Sequence, residues 1–490
     1  MRPRLLVQIA IPVAAALCAS PLASQTKGPA DAVISRVNVI DTDGGRTMAR
    51  TVVVRDGAIA ALLTTGAPLP DARVTIDGRG KFLIPGLWDM HVHLATVSDA
   101  AFAERTMLPL FLAHGVVGVR DMGGPLDRVL ALREGVAGGK LQGPRIITPG
   151  PFIDGPGEAD PMFRRVTTVE EARGAVRDLA QAGVDFVKVQ ANLTRETYDA
   201  VTAEARARKL AVAGHVPIAL QPADVIAAGQ RSIEHISPAL VGDGALLFAC
   251  SRRANELHDE LLAIERDRAT ASREQIAARE ANLRAELVRT FDPSKAAALG
   301  ANLSGRQTWI VPTLIWSKSL RPVDRADPNV PLDLLPPQMR KRLQDGRARY
   351  LTSASPEALQ AAADTAAIAA RAMAALHTAG ARVLAGTDTY DGFVIPGFSL
   401  HQELVLFVGA GLTTMEALQA ATRNAAEFRG ALEHEGTITR GKRADMVLLD
   451  ANPLLDIRNL SRINAVFMGG RVLTRSDLDT LLSSLRAADR

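Results

Sequence analysis

Two histidines, His91 and His93, are separated by one residue in the segment DMHVHL. On a β-strand, residues two positions apart point to the same face, so both imidazoles would face one side of the strand. Imidazole nitrogens are good ligands for divalent metal ions. A His-x-His pair also arises by chance, and either ring could be a hydrogen-bonded core residue. The pair alone is therefore a weak indication of a metal site.

Three further metal-type residues, His215, His235 and Asp388, each follow a short strand-like run. In a barrel of parallel strands, the carboxyl ends of the strands meet on the face that carries the active site. The five residues together therefore predict a metal site on that face. The sequence has only two cysteines, Cys18 and Cys250, so neither a disulfide framework nor a cysteine-based zinc cluster can form.

Lys188, in the segment FVKVQ, lies at the end of another apolar run. A buried, unpaired ammonium group is strongly unfavourable unless it is neutralised or paired. A lysine that loses its proton can react with carbon dioxide, and the resulting carbamate can bridge two cations. A buried salt bridge is the alternative, and it is the better interpretation of an isolated lysine. The five metal-type residues at matching positions favour the carbamate.

The elements that must position these residues follow from an alternation of β-branched runs with alanine-rich helical stretches. This alternation is typical of an α/β fold with parallel strands. Eight such runs begin at residues 82, 115, 145, 184, 210, 231, 308 and 381. Eight strand-helix units predict a (β/α)8 TIM barrel. The alternative architecture is a doubly wound open sheet.

Strand-like patterns also occur near both ends of the chain, over residues 32–80 and in two stretches after residue 444. Strands need partners for their backbone groups, so the two ends are expected to pair with each other. The predicted units are a small composite β-sandwich domain of residues 25–80 and 436–475, a barrel domain of residues 81–435, and a C-terminal tail of residues 476–490.

A long charged insertion, from about residue 250 to residue 305, interrupts the barrel pattern. Apolar residues such as Leu257, Leu261 and Ile264 recur there at helical spacing, which predicts a helical hairpin. The hairpin could be a solvated excursion or a lid over the barrel, and the sequence favours neither. His258 in this segment is interpreted as solvated rather than as a metal ligand.

Residues 1–24 have the pattern of a secretory signal peptide. Arg2 and Arg4 precede an apolar run that ends at Cys18, and the small residues near Ala23 suit cleavage. A membrane anchor is the alternative, but the run is shorter than the roughly 20 apolar residues that span a bilayer. Lipidation of Cys18 is disfavoured by the bulky Leu17 before it. The mature protein is therefore expected in the periplasm or outside the cell, with no membrane-spanning segment.

The composition is that of a folded globular protein: of 490 residues, 47% are hydrophobic and 22% are charged. Lys+Arg 57 against Asp+Glu 53 gives a net charge of +4, without a long basic block. Nucleic acid is therefore not an expected partner. The expected partner is a small-molecule substrate, and assembly into a homo-oligomer is left open.

Six motifs carry a resemblance to a known family: IPGLWDMHVHL (84–94), GVRDMGG (118–124), FVKVQ (186–190), GHVP (214–217), SIEHI (232–236) and LAGTDT (384–389). In these motifs the chain resembles the amidohydrolase superfamily in its binuclear form with a carboxylated lysine. It is most similar to the branch that includes imidazolonepropionase-like proteins and zinc-dependent prolidase-like dipeptidases. The resemblance covers nearly all of the chain after the signal peptide, apart from the helical insertion.

The resemblance implies a site with two divalent metal ions, with zinc preferred and iron, cobalt or manganese left open. It implies that the more buried ion is bound by His91, His93 and Asp388, the other by His215 and His235, and that carboxylated Lys188 bridges them. No metal position expected in the family is missing.

The chemistry expected of such a site is hydrolysis. Two cations that share a hydroxide lower the pKa of that water and polarise the carbonyl under attack. Asp388 could accept the water proton and pass it to the departing nitrogen, or it could be a metal ligand only. The predicted reaction cleaves an amide carbon–nitrogen bond in a dipeptide or an N-acyl amino acid. The alternatives are a cyclic amide, a lactone or a phosphoester as substrate, or a non-catalytic binding protein on the same scaffold.

Three residues near the strand ends are candidates for substrate binding: Arg120, Tyr390 and His401. Arg120 could hold a substrate carboxylate with two hydrogen bonds, or it could pair with an acid such as Asp121. Tyr390 lies in the segment after Asp388, where loops of this fold shape the pocket. His401 could donate to a substrate oxygen, or it could serve in helix packing.

Overall fold

The structure is a computed structural model that describes residues 28–96, 100–236, 244–320, 330–353, 355–389 and 393–487. The expected signal peptide, residues 1–24, and the candidate substrate residue Tyr390 lie outside these ranges. Within the described ranges, no helix combines the length and the apolar character needed to cross a membrane.

The described strands, in chain order, are β1 (Ala30–Asp41), β2 (Arg46–Arg55), β3 (Ala58–Leu63), β4 (Ala72–Asp77), β5 (Phe82–Pro85), β6 (Leu87–Val92), β7 (Val116–Asp121), β8 (Arg145–Ile147), β9 (Phe152–Asp154), β10 (Phe163–Arg165), β11 (Val187–Val189), β12 (Val212–Gly214), β13 (Ser232–Glu234), β14 (Trp309–Val311), β15 (Arg382–Val383), β16 (Met446–Leu449), β17 (Ile463–Met468) and β18 (Arg471–Thr474).

The described helices, in chain order, are α1 (Ala100–Phe102), α2 (Leu108–Ala113), α3 (Leu126–Ala137), α4 (Val169–Gln181), α5 (Arg195–Ala207), α6 (Pro222–Ala228), α7 (Ala245–Ala249), α8 (Ala254–Asp267), α9 (Arg273–Thr290), α10 (Pro293–Gly305), α11 (Leu314–Leu320), α12 (Pro337–Ser353), α13 (Pro356–Thr378), α14 (Phe398–Gly409), α15 (Thr414–Ala420), α16 (Arg423–Phe428) and α17 (Arg475–Ala487). A π-helical turn (Ala103–Met107) joins α1 to α2.

Eight parallel strands form the barrel, one from each of the eight predicted runs: β6, β7, β8, β11, β12, β13, β14 and β15. Neighbouring strands pair in the order β6-β7-β8 and in the order β11-β12-β13-β14-β15. Strands β9 and β10 continue the second sheet beside β11. Backbone hydrogen bonds close both seams, from Met90 N to Ala385 O (2.8 Å) and from Asp185 N to Thr148 O (2.9 Å). The predicted TIM barrel is confirmed, because closure at both seams excludes an open sheet.

Helix α4 illustrates how local sequence sets an element of the barrel. Thr168 and Glu171 form a capping box, in which Glu171 N donates to Thr168 Oγ1 and Thr168 N donates to Glu171 Oε2, each at 3.2 Å. The face with Ala172, Ala175 and Leu179 is buried, at spacings of three and four residues. The start of the helix and its inward face are thus both encoded locally.

Strands from both ends of the chain form one further sheet, in the order β18-β17-β16-β5-β1-β2-β3, with β4 also paired to β1. Apolar side chains from both ends, including Val39, Leu83 and Phe467, share a core on one face. Residues 82–85, which we expected to open the barrel domain, belong to this sheet as β5. A Cβ at Gly86 would lie 2.4 Å from Val117 Cγ2, so a glycine is needed where the chain passes to the barrel.

The insertion is helical as expected. Helices α8 and α9 form an antiparallel hairpin that α10 follows, and Arg268–Glu280 (2.8 Å) and Arg279–Asp267 (2.7 Å) ion pairs join its two arms. The hairpin packs against the barrel helix α13 through α9, and α10 also packs closely against α13. The insertion is therefore anchored to the barrel and is more than a solvated excursion. His258 is half-buried and lines a small cavity with residues that follow β12.

The C-terminal segment 476–490, expected as a tail, is helical through residue 487 as part of α17. Leu478 is fully buried, and Leu482 and Leu485 pack partly buried against the main core. Their spacing of four and three residues is that of one helix face. The tail is thus an amphipathic helix that covers α2 and the strand β18.

Candidate metal centre

The six residues expected to bind metal lie in barrel strands or just after them. His91 is in β6 and Lys188 is in β11, while His93, His215 and His235 directly follow β6, β12 and β13, and Asp388 follows β15. These positions share the carboxyl ends of the strands, which is where a barrel gathers its functional side chains.

The four imidazole rings form a continuous series of contacts. Ring centroids are 5.4 Å apart for His93 and His91, 4.7 Å for His91 and His235, and 4.9 Å for His235 and His215. Asp388 lies against three of the rings. Its Oδ1 is 3.4 Å from His91 Nε2 and 3.2 Å from His93 Nε2, and its Oδ2 is 4.0 Å from His235 Nδ1.

Left-handed backbone positions help to bring these side chains together. The φ angles are 70° at His235, 59° at Asp388 and 48° at Thr313. Such conformations cost about 1–3 kcal/mol each in residues other than glycine, and they concentrate at functional sites. Successive strand residues normally face opposite sides. His235 and its neighbour Glu234 nevertheless both contact the ring of His91, which the positive φ angle of His235 allows.

Hydrogen bonds fix which nitrogen of three of the rings carries the proton. His91 Nδ1 lies 3.0 Å from Glu234 Oε2, and His93 Nδ1 lies 3.0 Å from the carbonyl oxygen of Gly123. His235 Nδ1 lies 2.8 Å from Thr313 Oγ1, whose hydroxyl donates to the Pro312 carbonyl at 2.8 Å. Each Nδ1 therefore donates, which leaves a lone pair on the Nε2 of each neutral ring.

A cation fits between these acceptors. His91 Nε2 is buried and makes no hydrogen bond among the described residues, although it faces Asp388 Oδ1 at 3.4 Å. Two acceptors at this distance repel each other unless a proton or a cation lies between them. One ligand atom from each of His91, His93 and Asp388 lies within 4.8 Å of the others. Imidazole and carboxylate ligands with this geometry suit zinc.

The electrostatics of the site favour neutral rings at His91 and His235. Burial lowers the pKa of His91 to about 4 and that of His235 to about 3. Burial also opposes protonation of His93, but its hydrogen bond and charge contact with Asp388 outweigh burial and raise the pKa of this ring. Burial opposes ionisation of Asp388, but the surrounding histidines outweigh it and hold the pKa of this carboxyl below its usual range. Neutral imidazole and ionised carboxylate are the forms that bind metals.

Lys188 is 1% exposed and lies beneath the same cluster. Its charge contributes to lowering the pKa of His91, His215 and His235, so the amine is close to all three rings. A Cβ at Gly214 would lie 3.0 Å from Lys188 Cδ, so this glycine makes room for the lysine side chain. The structure thus places the Lys188 amine near three of the four histidines.

The sequence model of the amidohydrolase family matches residues 82–473, which include all six of these residues. The chain belongs to the amidohydrolase family. Among solved structures, it is similar to a bottromycin amidohydrolase, with 26% identity and a TM-score of 0.72 over 93% of this chain and 90% of that chain. It is also similar to a protein from Bifidobacterium longum assigned as a prolidase, with 26% identity and a TM-score of 0.62 over 92% and 98% of the two chains.

Curated relatives match only short segments of this chain. An adenine deaminase from Desulfatibacillum aliphaticivorans is 33% identical over 93 residues, which are 19% of this chain and 15% of the relative. A dihydroorotase from Anaeromyxobacter dehalogenans is 46% identical over 56 residues, which are 11% of this chain and 13% of the relative. The chain therefore spans about a seventh of the length of these relatives.

Arg120 forms the structural ion pair that we weighed against substrate binding, although with Glu234 and not with Asp121. The side chain is fully buried inside the barrel, where Nη2 donates to Glu234 Oε2 at 2.8 Å and Nε donates to the Met90 carbonyl at 2.6 Å. Phe186 and Phe428 lie on either side of the guanidinium. With its donors turned inward, Arg120 holds other residues of the barrel instead of a substrate carboxylate.

His401 is also directed away from the metal-type residues. It lies on α14, is 6% exposed, and Nε2 donates to the carbonyl of His114 at 2.9 Å, just before β7. Its ring packs against that of His114 at 5.9 Å. The expected role in substrate binding is therefore replaced by the packing role that we weighed against it.

Several residues around the candidate metal centre were not predicted. Glu234 and Thr313 hold two of the histidines, and Asp89 joins β6 to the segment before Asp388, since Thr387 Oγ1 donates to Asp89 Oδ2 at 2.7 Å. Two of them carried a sequence signal. Asp89 lies two residues before His91 and therefore on the same face of the strand. Glu234 is a charged residue directly before His235 in a strand that is buried.

Proposed function

We propose that the protein is a metal-dependent hydrolase that cleaves the amide carbon–nitrogen bond of a dipeptide or an N-acyl amino acid. The observation that carries this proposal is the convergence of His91, His93 and Asp388 through atoms that all accept hydrogen bonds. A cation satisfies all three acceptors at once when the rings are neutral.

Two divalent ions, proposed to be zinc, would be held by the residues of this cluster. One would be bound by His91, His93 and Asp388, the other by His215 and His235, with a carbamate on Lys188 between them. When bound, the metals supply an activated water at neutral pH and polarise the carbonyl of the substrate.

Asp388 is proposed to move the proton. Its side chain is 11% exposed, compared with 1% for His91 and 17% for His93, so the carboxylate is not completely enclosed. An ionised carboxylate there can accept a proton from the attacking water and donate it to the departing nitrogen. Lys188 is more buried, at 1% exposed, and lies in the barrel interior.

The choice of an amide substrate is supported by the likeness to a bottromycin amidohydrolase and to a prolidase-type protein. One observation favours a second candidate. Arg120, which we considered as an anchor for a free carboxylate, pairs with Glu234 inside the barrel. A pocket without that anchor favours a neutral substrate, such as a cyclic amide or a lactone, hydrolysed at the same metals.

The testing experiment is a substrate panel with zinc-loaded protein. Metal content is measured first, and amino-acid release from dipeptides and N-acyl amino acids is then followed by mass spectrometry, with Lys188→Ala as the blank. Release that vanishes in the blank supports the proposal. No release from protein that carries two metals moves the assignment to cyclic amides and lactones, and protein that binds no metal supports the non-catalytic alternative.

We also propose that the protein is exported by residues 1–24. The apolar run after Arg2 and Arg4 has the length of a signal peptide and is too short to anchor the chain. N-terminal sequencing of the mature protein is expected to begin near residue 24. An intact N-terminus on the active protein in the cytoplasm would contradict export.

A further inference from the structure

Glu234 is a buried carboxylate that contacts one of the proposed metal ligands. It is 1% exposed, at the end of β13, and its Oε2 lies 3.0 Å from His91 Nδ1. The same oxygen accepts from Arg120 Nη2 at 2.8 Å. The other oxygen, Oε1, accepts from Arg120 Nη2 at 2.9 Å and from the Ser232 hydroxyl at 2.5 Å. Each oxygen of the Glu234 carboxylate thus has two hydrogen-bond partners.

Arg120 is in turn held in one orientation. Its Nε donates to the Met90 carbonyl at 2.6 Å and its Nη1 donates to Ser232 Oγ at 3.0 Å. The guanidinium and the carboxylate, both nearly inaccessible to water, therefore link β6, β7 and β13 inside the barrel. A charged pair buried this deeply needs such complete hydrogen bonding, because an unpaired buried charge is very unfavourable.

The charge of Glu234 has a chemical consequence for His91. An ionised carboxylate accepts hydrogen bonds and donates none. The proton of the neutral His91 ring is therefore fixed on Nδ1, and the lone pair is fixed on Nε2, which points at Asp388. Carboxylates that bind the far nitrogen of a metal-ligating histidine set its tautomer and its orientation.

We propose that Glu234, held by Arg120 and Ser232, is a positioning residue that fixes the tautomer of His91 and so sets the metal affinity of the site. The inference rests on the proposed metal centre and does not depend on which substrate is hydrolysed. It also assigns a role to Arg120, namely to keep Glu234 charged and directed at His91.

Glu234→Gln separates this role from simple space filling, because the shape is kept and the charge is removed. If the new amide oxygen faces His91, the amide NH2 meets the donors of Arg120. If the amide NH2 faces His91 instead, Nδ1 must become the acceptor, and the ring proton moves to Nε2, towards Asp388. Either arrangement weakens the site.

The experiment measures zinc affinity by competition with a chromophoric chelator and records the visible spectrum of the cobalt-loaded protein. For Glu234→Gln we expect an affinity loss of about 10–100-fold and an altered cobalt spectrum. The matched control is Glu435→Gln, since Glu435 is 4% exposed and pairs with Arg145 at 2.6 Å, outside the metal cluster. The control is expected to keep the zinc affinity and the spectrum of the wild type.

Wild-type affinity and an unchanged spectrum in Glu234→Gln would overturn the inference. If this variant does not fold, Ser232→Ala carries the test, because it removes one hydrogen bond to Glu234 and leaves the charge. The inference then requires a loss of zinc affinity of about 3-fold or more, and unchanged affinity overturns it. Weaker zinc binding in the variants, with no amide hydrolysis by the wild type, would reject the proposed reaction and support the positioning role.

Discussion

Asp388 combines two properties that a proton-transfer residue needs. Its Oδ1 lies within 3.4 Å of the Nε2 atoms of both His91 and His93, so it is held in place by the cluster. Its side chain remains 11% exposed, whereas that of His91 is 1% exposed. A carboxylate that is not completely enclosed can exchange a proton with a bound substrate.

Replacement of Asp388 by Asn is therefore expected to affect turnover more than metal content. The amide keeps one oxygen near the histidines but cannot accept the proton, and general acid–base catalysis contributes about 10²–10⁴-fold. We expect kcat to fall by that order while part of the zinc is retained, as measured by steady-state kinetics and metal analysis of the same samples. A variant with near-normal kcat would show that Asp388 is a ligand only.

Lys188→Ala tests the proposed carbamate. Truncation leaves a space in the barrel interior where the side chain was 1% exposed. Activity is expected to be lost, and short-chain carboxylates such as acetate are expected to restore part of it by taking the place of the bridging group. The control is Asp388→Asn, which acetate should not rescue. Normal activity of untreated Lys188→Ala would refute the carbamate.

The sequence predicted that the metal-type residues lie at strand ends, but it could not predict which way the candidate substrate residues point, for a physical reason. His91 and His93 are set by strand alternation, and the strand ends give the other positions. Arg120 also lies near a strand end, but its partner Glu234 is 114 positions away along the chain. Such a long-range pair has no local signal, so the inward direction of the guanidinium could not be read from the sequence.

Helix α14 is connected to the cluster of metal-type residues by contacts at the start of α11. Glu403 on α14 is fully buried and accepts hydrogen bonds from the backbone amides of Leu314 (2.9 Å) and Ile315 (2.6 Å). These amides directly follow Thr313, whose hydroxyl accepts from His235 Nδ1. The first N–H groups of a helix have no partner within it, so Glu403 satisfies them and fixes the segment that orients His235.

Glu403→Ala is expected to destabilise the protein by about 1–3 kcal/mol, because two buried amides lose their acceptor. Urea unfolding monitored by circular dichroism measures this loss. Glu416→Ala is the comparison, since Glu416 caps α15 from a side chain that is 41% exposed. The capping variant is expected to lose about 1 kcal/mol or less. Equal losses in the two variants would argue against a special role for Glu403.

The helical insertion leaves and rejoins the barrel at adjacent points. Ser251 and Phe291 form an antiparallel bridge, and Arg252 N donates to the Thr290 carbonyl at 2.8 Å. A two-residue Asn-Gly turn, which favours tight hairpins, can therefore replace the helices between them. We expect the shortened protein to fold and to bind zinc as the wild type does, with a lower Tm because apolar surface on α13 is exposed. Loss of zinc binding would instead make the insertion part of the site.

The barrel strands were predictable because each is a compact β-branched run, whereas element boundaries depended on contacts far along the chain. The run from residue 82 looks continuous, yet it is divided between two sheets at Gly86, where Val117 leaves no room for a side chain. Helix α17 carried a local signal that we did not use, since Leu478, Leu482 and Leu485 recur at helical spacing.

A buried ionic cluster joins the barrel to the composite sheet. Arg145 of β8 contacts Asp445 at 2.5 Å and Glu435 at 2.6 Å, and Glu435 also pairs with Arg429. The side chain of Arg145 is 27% exposed, whereas the side chains of Asp445 and Glu435 are each 5% exposed. Loss of Arg145 would therefore remove a cation from two buried carboxylates.

Arg145→Met should therefore destabilise the whole molecule without changing the metal centre. Breaking a buried pair costs about 3–5 kcal/mol, and partial exposure of Arg145 reduces the expected loss to about 1–3 kcal/mol. Chemical unfolding measures the loss, and zinc affinity serves as the internal control. A variant that keeps its stability but loses zinc would show that the cluster acts on the site instead.

The composite sheet also constrains the order in which the chain can fold. β5 pairs with β1 on one side and with β16 on the other, where Leu83 lies opposite Leu448. During synthesis β16 emerges only after the entire barrel, so β5 must wait with an open edge that could bind a strand of another chain. A protein built in this way gains from being kept unfolded by chaperones until translation ends, and ribosome-bound chains that stop before residue 446 are expected to aggregate or be degraded.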